Sequence, residues 1–194
     1  MSDDSPFMFV GDALVLDLIN TVKFVRGEII DTLQTPDDLR WWWSLARQQH
    51  TQIEMVTGAA AAFDESTLAA VKDVRDHLHD LFLSVIEGQQ PQVNDLAALN
   101  WALATGHPTL DWEDRARMSY AASGEPAAGV LLPAALSALR LLTQADLSRL
   151  HKCQSNQCVL LFYDTTKSGT RHWCSTACMD RDRSRRRYRD AKQG

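Results

Sequence analysis

A chain of 194 residues, 45% of them hydrophobic and 23% charged, has room for one globular unit of ordinary size and a small appendage. Its net charge of −5 averages two unlike parts: from His151 onward ten Lys and Arg face four Asp, a net of +6, whereas the residues before it carry ten against 21, a net of −11. No stretch approaches the roughly 18 consecutive apolar residues of a membrane span. The acidic start "MSDDSPFMFV" has no basic region ahead of a long apolar run, so a cytoplasmic protein with reduced thiols and no membrane partner is expected.

Met1 to about Pro6 reads as a frayed end. "GDALVLDLINTVKFV" reads mostly as a helix, with Asp12 as its N-cap and Leu14, Leu18 and Val22 at helical spacing, followed in "RGEIIDTL" by a turn and a short extended piece. "TPDDLRWWWSLARQQ" carries a strong helix start: Thr35 to cap, Pro36 in the first position, Asp37 and Asp38 against the dipole. Trp41, Trp42 and Trp43 point about 100° apart on that helix, so they cannot all reach one core.

"DESTLAAVKDVRDHLHDLFLSVIEG" predicts a long helix with Leu68, Val71, Leu78, Leu81, Phe82 and Val85 on one stripe and Gly88 past its end. A shorter helix follows in "QVNDLAALNWALATG", with Leu96, Leu99 and Leu103 inward and Gly106 at the stop, forming an antiparallel pair with the first. "TLDWEDRARMSYAAS" reads as a β-hairpin and "SGEPAAG" as a loop. "LLPAALSALRLLTQADLSRL" returns to helix and leads directly to Cys153. The expected fold is mainly α, with some β: a helical N-terminal domain with a small β-hairpin over residues 1–148, and a treble-clef-like zinc finger over 149–194.

Enzymatic motifs are absent: no phosphate loop, GxGxxG, HExxH or GxSxG. His77 and His79, two apart on a helix, point to opposite sides and cannot share a ligand. The chain is therefore not expected to be an enzyme. Asp17, Asn20 and Thr21 are polar groups set in an apolar run. Either they tie a helix end to a neighbouring segment or they line a small-ligand pocket for an effector.

All four cysteines lie in the last quarter, as CysX4Cys, a gap of fifteen, and CysX3Cys: Cys153, Cys158, Cys174 and Cys178. Two short-range pairs supply four thiolates for one structural Zn2+, and four cysteines close the shell against catalysis. Disulfides are the alternative, disfavoured where thiols stay reduced; His151 or His172 could replace a cysteine. The gap "VLLFYDTTKSGTRHW" reads as a hairpin joining the pairs, turning at Ser168 and Gly169. A helix starting near Cys174 would place Cys174 and Cys178 on one face and favour their thiolates. Its continuation carries Arg181, Arg183, Arg185, Arg186, Arg187, Arg189 and Lys192 with no apolar stripe to hold it on a core. Such a helix projects charge into solvent and suits DNA; a solvated tail is the alternative.

"LDLINT", "TPDDLRWW", "LLTQADLSRLHKC" and "LFYDTTKSGTRHWCS" between the cysteine pairs together resemble the CGNR zinc-finger proteins of bacteria, whose larger N-terminal part is the ABATE domain. The resemblance spans nearly the whole chain. It implies a stress-induced transcription regulator whose finger, with the four cysteines as ligands, contacts DNA. Two departures stand out: the Cys-Gly-Asn-Arg of the family name is here Cys178, Met179, Asp180 and Arg181, and the family pattern has one more residue between the last two cysteines. Two other arrangements stay open. The finger could be a protein-interaction or dimerisation module beside a ligand-binding N-terminal domain, and a homodimer would supply two fingers to a DNA site.

Overall fold

The computed structural model describes residues 5–57, 62–112 and 114–193. The frayed end expected from Met1 to about Pro6 falls mostly outside them. Six α-helices and three small sheets make up the described residues: α1 Leu14–Ile19, α2 Pro36–Gln49, α3 Glu65–Ile86, α4 Val93–Leu103, α5 Ala128–Gln144 and α6 Thr176–Gln193, with β1 Val22–Val25, β2 Glu28–Asp31, β3 Val56–Thr57, β4 Gly106–Trp112, β5 Ala116–Ala122, β6 Leu150–Lys152 and β7 Leu161–Tyr163. The mainly helical class with a C-terminal finger is therefore the observed one.

The apolar start is cut short as a helix. α1 ends at Ile19, its N-cap Ala13 makes no side-chain cap bond, and Val22 begins a strand. β-branched Val22 and Val25 with Phe24 suit a pleated surface better than a helix continued past Asn20 and Thr21. Asp12, expected to cap α1, instead has a φ of 61° and pairs with Arg171 at 2.8 Å. The β1–β2 hairpin turns through Arg26 and Gly27, both at positive φ (52° and 101°), which a two-residue turn of type I′ requires.

α2 starts as its sequence dictates: the Thr35 side chain accepts the Asp38 N–H, and the Asp38 carboxylate accepts the Thr35 N–H. Trp42 and Trp43 are buried, whereas Trp41 is 43% exposed, edge-on to Phe7. The α3 stripe is buried at Leu68, Val71, Leu78, Leu81 and Phe82, and partly at Val85. In α4, Leu99 is buried but Leu96 is 40% exposed, because the short helix turns only one edge to the core. Gly106 opens β4 rather than closing α4, and a Cβ there would come within 2.3 Å of Leu132. The expected hairpin is β4–β5, with β3 joining β5 in parallel. Its face bearing Leu110, Trp112 and Met118 is open to solvent.

α5 is nearly all buried and packs on α1 and α4. It stops at Gln144, well short of Cys153. Asp146 caps a 3-10 turn at Leu147–Arg149 that leads into β6. One hydrophobic core gathers α1, α2, α3 and α5, and takes in Leu150 and Leu161 of β6 and β7. A second, smaller cluster surrounds the cysteines, with Leu160, Phe162, Met8 and Val10. No helix among the described residues is long and apolar enough to cross a membrane.

Candidate metal centre

The hairpin that carries the finger is not the expected one. β7 pairs antiparallel with β6, ahead of the first cysteine, and the segment returning to Trp173 forms no strand. The run Leu160–Phe162 is buried, so it must be covered on both sides, and β6 provides its backbone partner. Cys153 and Cys158 thus lie in the connection between the two strands, where Cys153 N–H donates to Leu160 O (2.9 Å) and Cys158 N–H to Ser155 O (3.0 Å).

Between β7 and α6 the chain folds around Asp164 and Arg171. The buried Asp164 carboxylate accepts from Thr166 N–H (2.8 Å), Thr166 Oγ1 (2.6 Å) and Arg171 N–H (2.8 Å). Burial works against its charge, but these bonds and the nearby Arg149 guanidinium bring its pKa down to about 2. Arg149 donates to the carbonyls of Asp164 and Thr166 (3.0 and 2.7 Å). Arg171 lies over the Phe162 ring at 4.5 Å, donates to Trp173 O (3.0 Å) and to Cys174 O, and reaches Asp12. It delivers Cys174 to the cluster. Nothing in the sequence around the cysteines singled out Asp164, Arg149 or Arg171, because their roles depend on backbone groups brought together only by the fold.

The Sγ atoms of Cys153, Cys158, Cys174 and Cys178 all lie within 4.8 Å of one another. Cys158–Cys174 and Cys174–Cys178 are 3.7 and 3.5 Å apart, and all four are free thiols. A disulfide needs about 2.05 Å. A tetrahedral zinc with Zn–S of about 2.3 Å sets its sulfurs about 3.8 Å apart, which these spacings match. Among the described residues no other group of His, Cys, Asp or Glu is placed to hold a metal, and His151 and His172 stand outside the cluster beside Phe162 and Trp173.

The protonation energetics agree. Hydrogen bonds from Cys158 and Cys174 pull the Cys153 thiol down to about 2, so one thiolate forms readily. Its hydrogen bond with Cys153 then raises Cys158 to about 12, and Cys174 is raised by Cys153 and Cys158. Four thiolates at this spacing repel unless a cation sits among them, and a divalent metal removes that conflict. The α6 start adds to this: Ser175 Oγ accepts the Cys178 N–H (3.3 Å), and Arg181 Nη2 donates to Cys178 Sγ (2.8 Å). The site fits one structural zinc ion.

Of the predicted basic contacts, Arg181 is spent on Cys178, Arg185 donates to Asn156 and Arg186 pairs with Asp182 at 2.9 Å. Lys192 lies over the Tyr188 ring at 4.9 Å. Arg183, Arg187 and Arg189 have no carboxylate partner among the described residues. The polar trio near the start is fully occupied. Asp17 accepts from Gly11 N–H (2.7 Å) and faces His50 Nε2 (2.8 Å). Asn20 makes two bonds to the Leu161 backbone (2.8 and 2.9 Å), and Thr21 Oγ1 donates to Leu18 O and accepts from Arg75. Their contacts tie segments together, and all three are buried. His77 faces Asp95 at 2.9 Å and His79 faces Asp80 at 2.8 Å, on separate sides of α3.

The structure is a helical unit with a cysteine finger packed on its core, and comparison with family models finds two adjacent matches. Residues 12–145 match the ABATE family, described as "Putative stress-induced transcription regulator", and residues 149–191 match the CGNR zinc finger. The chain belongs to the ABATE family, with a CGNR zinc finger at its C-terminal end. No curated protein matches it.

Proposed function

We propose that the protein is a DNA-binding transcription regulator whose zinc, held by Cys153, Cys158, Cys174 and Cys178, is structural and whose α6 lies against the DNA. The finger is read as a treble clef: a knuckle on the β6–β7 hairpin, a connecting turn and a helix that supplies the last ligand. One observation carries the proposal. α6 is tied to the finger by Cys178, Arg181 and Arg185, and its later described residues are almost all exposed, with Arg183, Arg187 and Arg189 lacking a carboxylate partner among the described residues. An 18-residue helix is about 27 Å long, enough to enter a major groove or follow phosphates. Neither matched family is described as an enzyme, and four cysteines leave no open metal position.

The test is binding of the zinc-loaded full-length chain to random-sequence duplex DNA across a salt series, for wild type and for Arg183→Ala/Arg187→Ala/Arg189→Ala. Each phosphate contact contributes about 0.9 to the slope of log K against log salt, so the triple variant is expected to lose about 3 from the slope and on the order of tenfold or more in affinity. An unchanged slope would remove α6 from the interface.

A further inference from the structure

The residues before His151 carry a net −11, and the β1–β2 hairpin carries Glu28 and Asp31 as well as Lys23 and Arg26, yet the side of it that faces the finger presents its cations. A groove of about 290 Å³ runs between the β1–β2 hairpin and the start of α6, lined by Lys23, Phe24 and Arg26 on one side and by Gln157, Ser175 and Arg181 on the other. No Asp or Glu lines it. Three other basic side chains of the larger unit are turned to carboxylates, Arg40 to Asp37 and Lys72 and Arg75 to Asp31, and Arg140 is turned to the Met55 sulfur. Lys23 instead donates to the Pro6 carbonyl, and Arg26, at the tip of the hairpin, has no carboxylate partner among the described residues. Met8 and Val10, ahead of α1, pack on the cysteine cluster, and Lys23 ties the hairpin to that segment at the Pro6 carbonyl.

We infer that the β1–β2 hairpin is a second DNA-contacting arm, with Lys23 and Arg26 gripping backbone phosphates beside the α6 N-terminus, apart from the contacts made by the arginines further along the helix. The inference rests on the reading of α6 as a DNA-binding helix. It assigns to the ABATE unit a direct part in binding. Arg26 on the tight turn, with open space around Gly27, and Lys23 on the adjoining strand can approach a phosphate without moving the core.

The experiment compares three zinc-loaded full-length proteins on the same duplex and salt series: wild type, Lys23→Gln/Arg26→Asn and Arg183→Ala/Arg187→Ala/Arg189→Ala. Gln retains a donor for the Pro6 carbonyl, and Asn tolerates the positive φ at position 26. The hairpin variant is expected to lose about 2 from the salt slope while keeping full zinc content. A wild-type slope in that variant, beside a reduced one in the helix variant, overturns the hairpin arm and leaves the α6 reading standing. Absence of salt-dependent binding by the wild type overturns both. Should the double variant fold poorly, Arg26→Glu alone decides: weaker binding at every salt concentration supports the arm, and unchanged binding overturns it.

Discussion

Arg181 joins the metal site to the groove beside the hairpin. Its guanidinium donates to Cys178 Sγ at 2.8 Å, where a thiolate carries negative charge, and it also lines the groove beside the hairpin. Groups that hydrogen-bond a metal ligand hold its orientation and charge, and removing one commonly costs 10- to 100-fold in metal affinity. Arg181→Gln is therefore expected to bind zinc on the order of tenfold more weakly in a chelator competition. If its affinity equals that of the wild type, Arg181 acts on the partner side only. The ligands themselves were legible because metal spacing is local: four cysteines in two pairs predict the site without knowledge of the fold. Arg181 was legible only as a positive charge, since its bond to Cys178 depends on the helix phase. Asn20 was legible only as a misplaced polar residue, because its partner, the Leu161 backbone, lies 141 positions away.

At the scale of elements, the chain around α3 is organised by a buried cation. Arg75 is 2% exposed and forks onto Asp31 of β2 at 2.8 and 3.0 Å, with Thr21 and Asp76 as further partners. Burial raises the Asp31 carboxyl, but bonds from Arg75, the Leu33 N–H and Lys72 outweigh it and leave it below its ordinary value. A carboxylate depressed in the folded state stabilises above its unfolded pKa of about 3.9, and that contribution is lost as pH falls through the folded value. Asp31→Asn is expected to cost about 2 kcal/mol at pH 7, chiefly by leaving Arg75 short of a partner. In urea titrations of both proteins in the same metal state, the gap should narrow as the pH falls below about 4. A gap that stays constant to pH 2 would show that the ion pair contributes nothing. This network escaped the periodicity of α3, in which Arg75 reads as a surface residue. Element type was legible where local rules agree, as at the Thr35 capping box. It was misread where two neighbouring segments compete for one strand, as in β7, whose partner is β6 ahead of the first cysteine rather than the segment returning to Trp173.

Over the whole molecule, the two matched families meet near residue 147, but the hydrophobic core continues past that point. Leu150 and Leu161 belong to the same core as α1, α2, α3 and α5, Tyr163 N–H donates to Gly11 O (3.0 Å), and Arg171 reaches Asp12. Asn20 satisfies both backbone groups of Leu161, which would otherwise be buried unpaired. The strands that position Cys153 and Cys158 are thus also walls of the larger unit. Metal that binds only the folded finger stabilises whatever unfolds with it, by about 3 kcal/mol at a hundredfold excess over the dissociation constant. Stripping zinc with a chelator is then expected to lower the midpoint of thermal unfolding by on the order of 10 °C, with far-UV circular dichroism and, in a Trp173→Phe protein that removes the finger's own fluorophore, tryptophan fluorescence moving together. If zinc removal leaves the tryptophan transition in place, the finger unfolds alone, and the contacts of Asn20 and Leu161 do not couple it to the core. If both probes shift, metal loss reaches the β1–β2 hairpin as well as α6. DNA affinity should then fall after chelation by more than either set of cations accounts for.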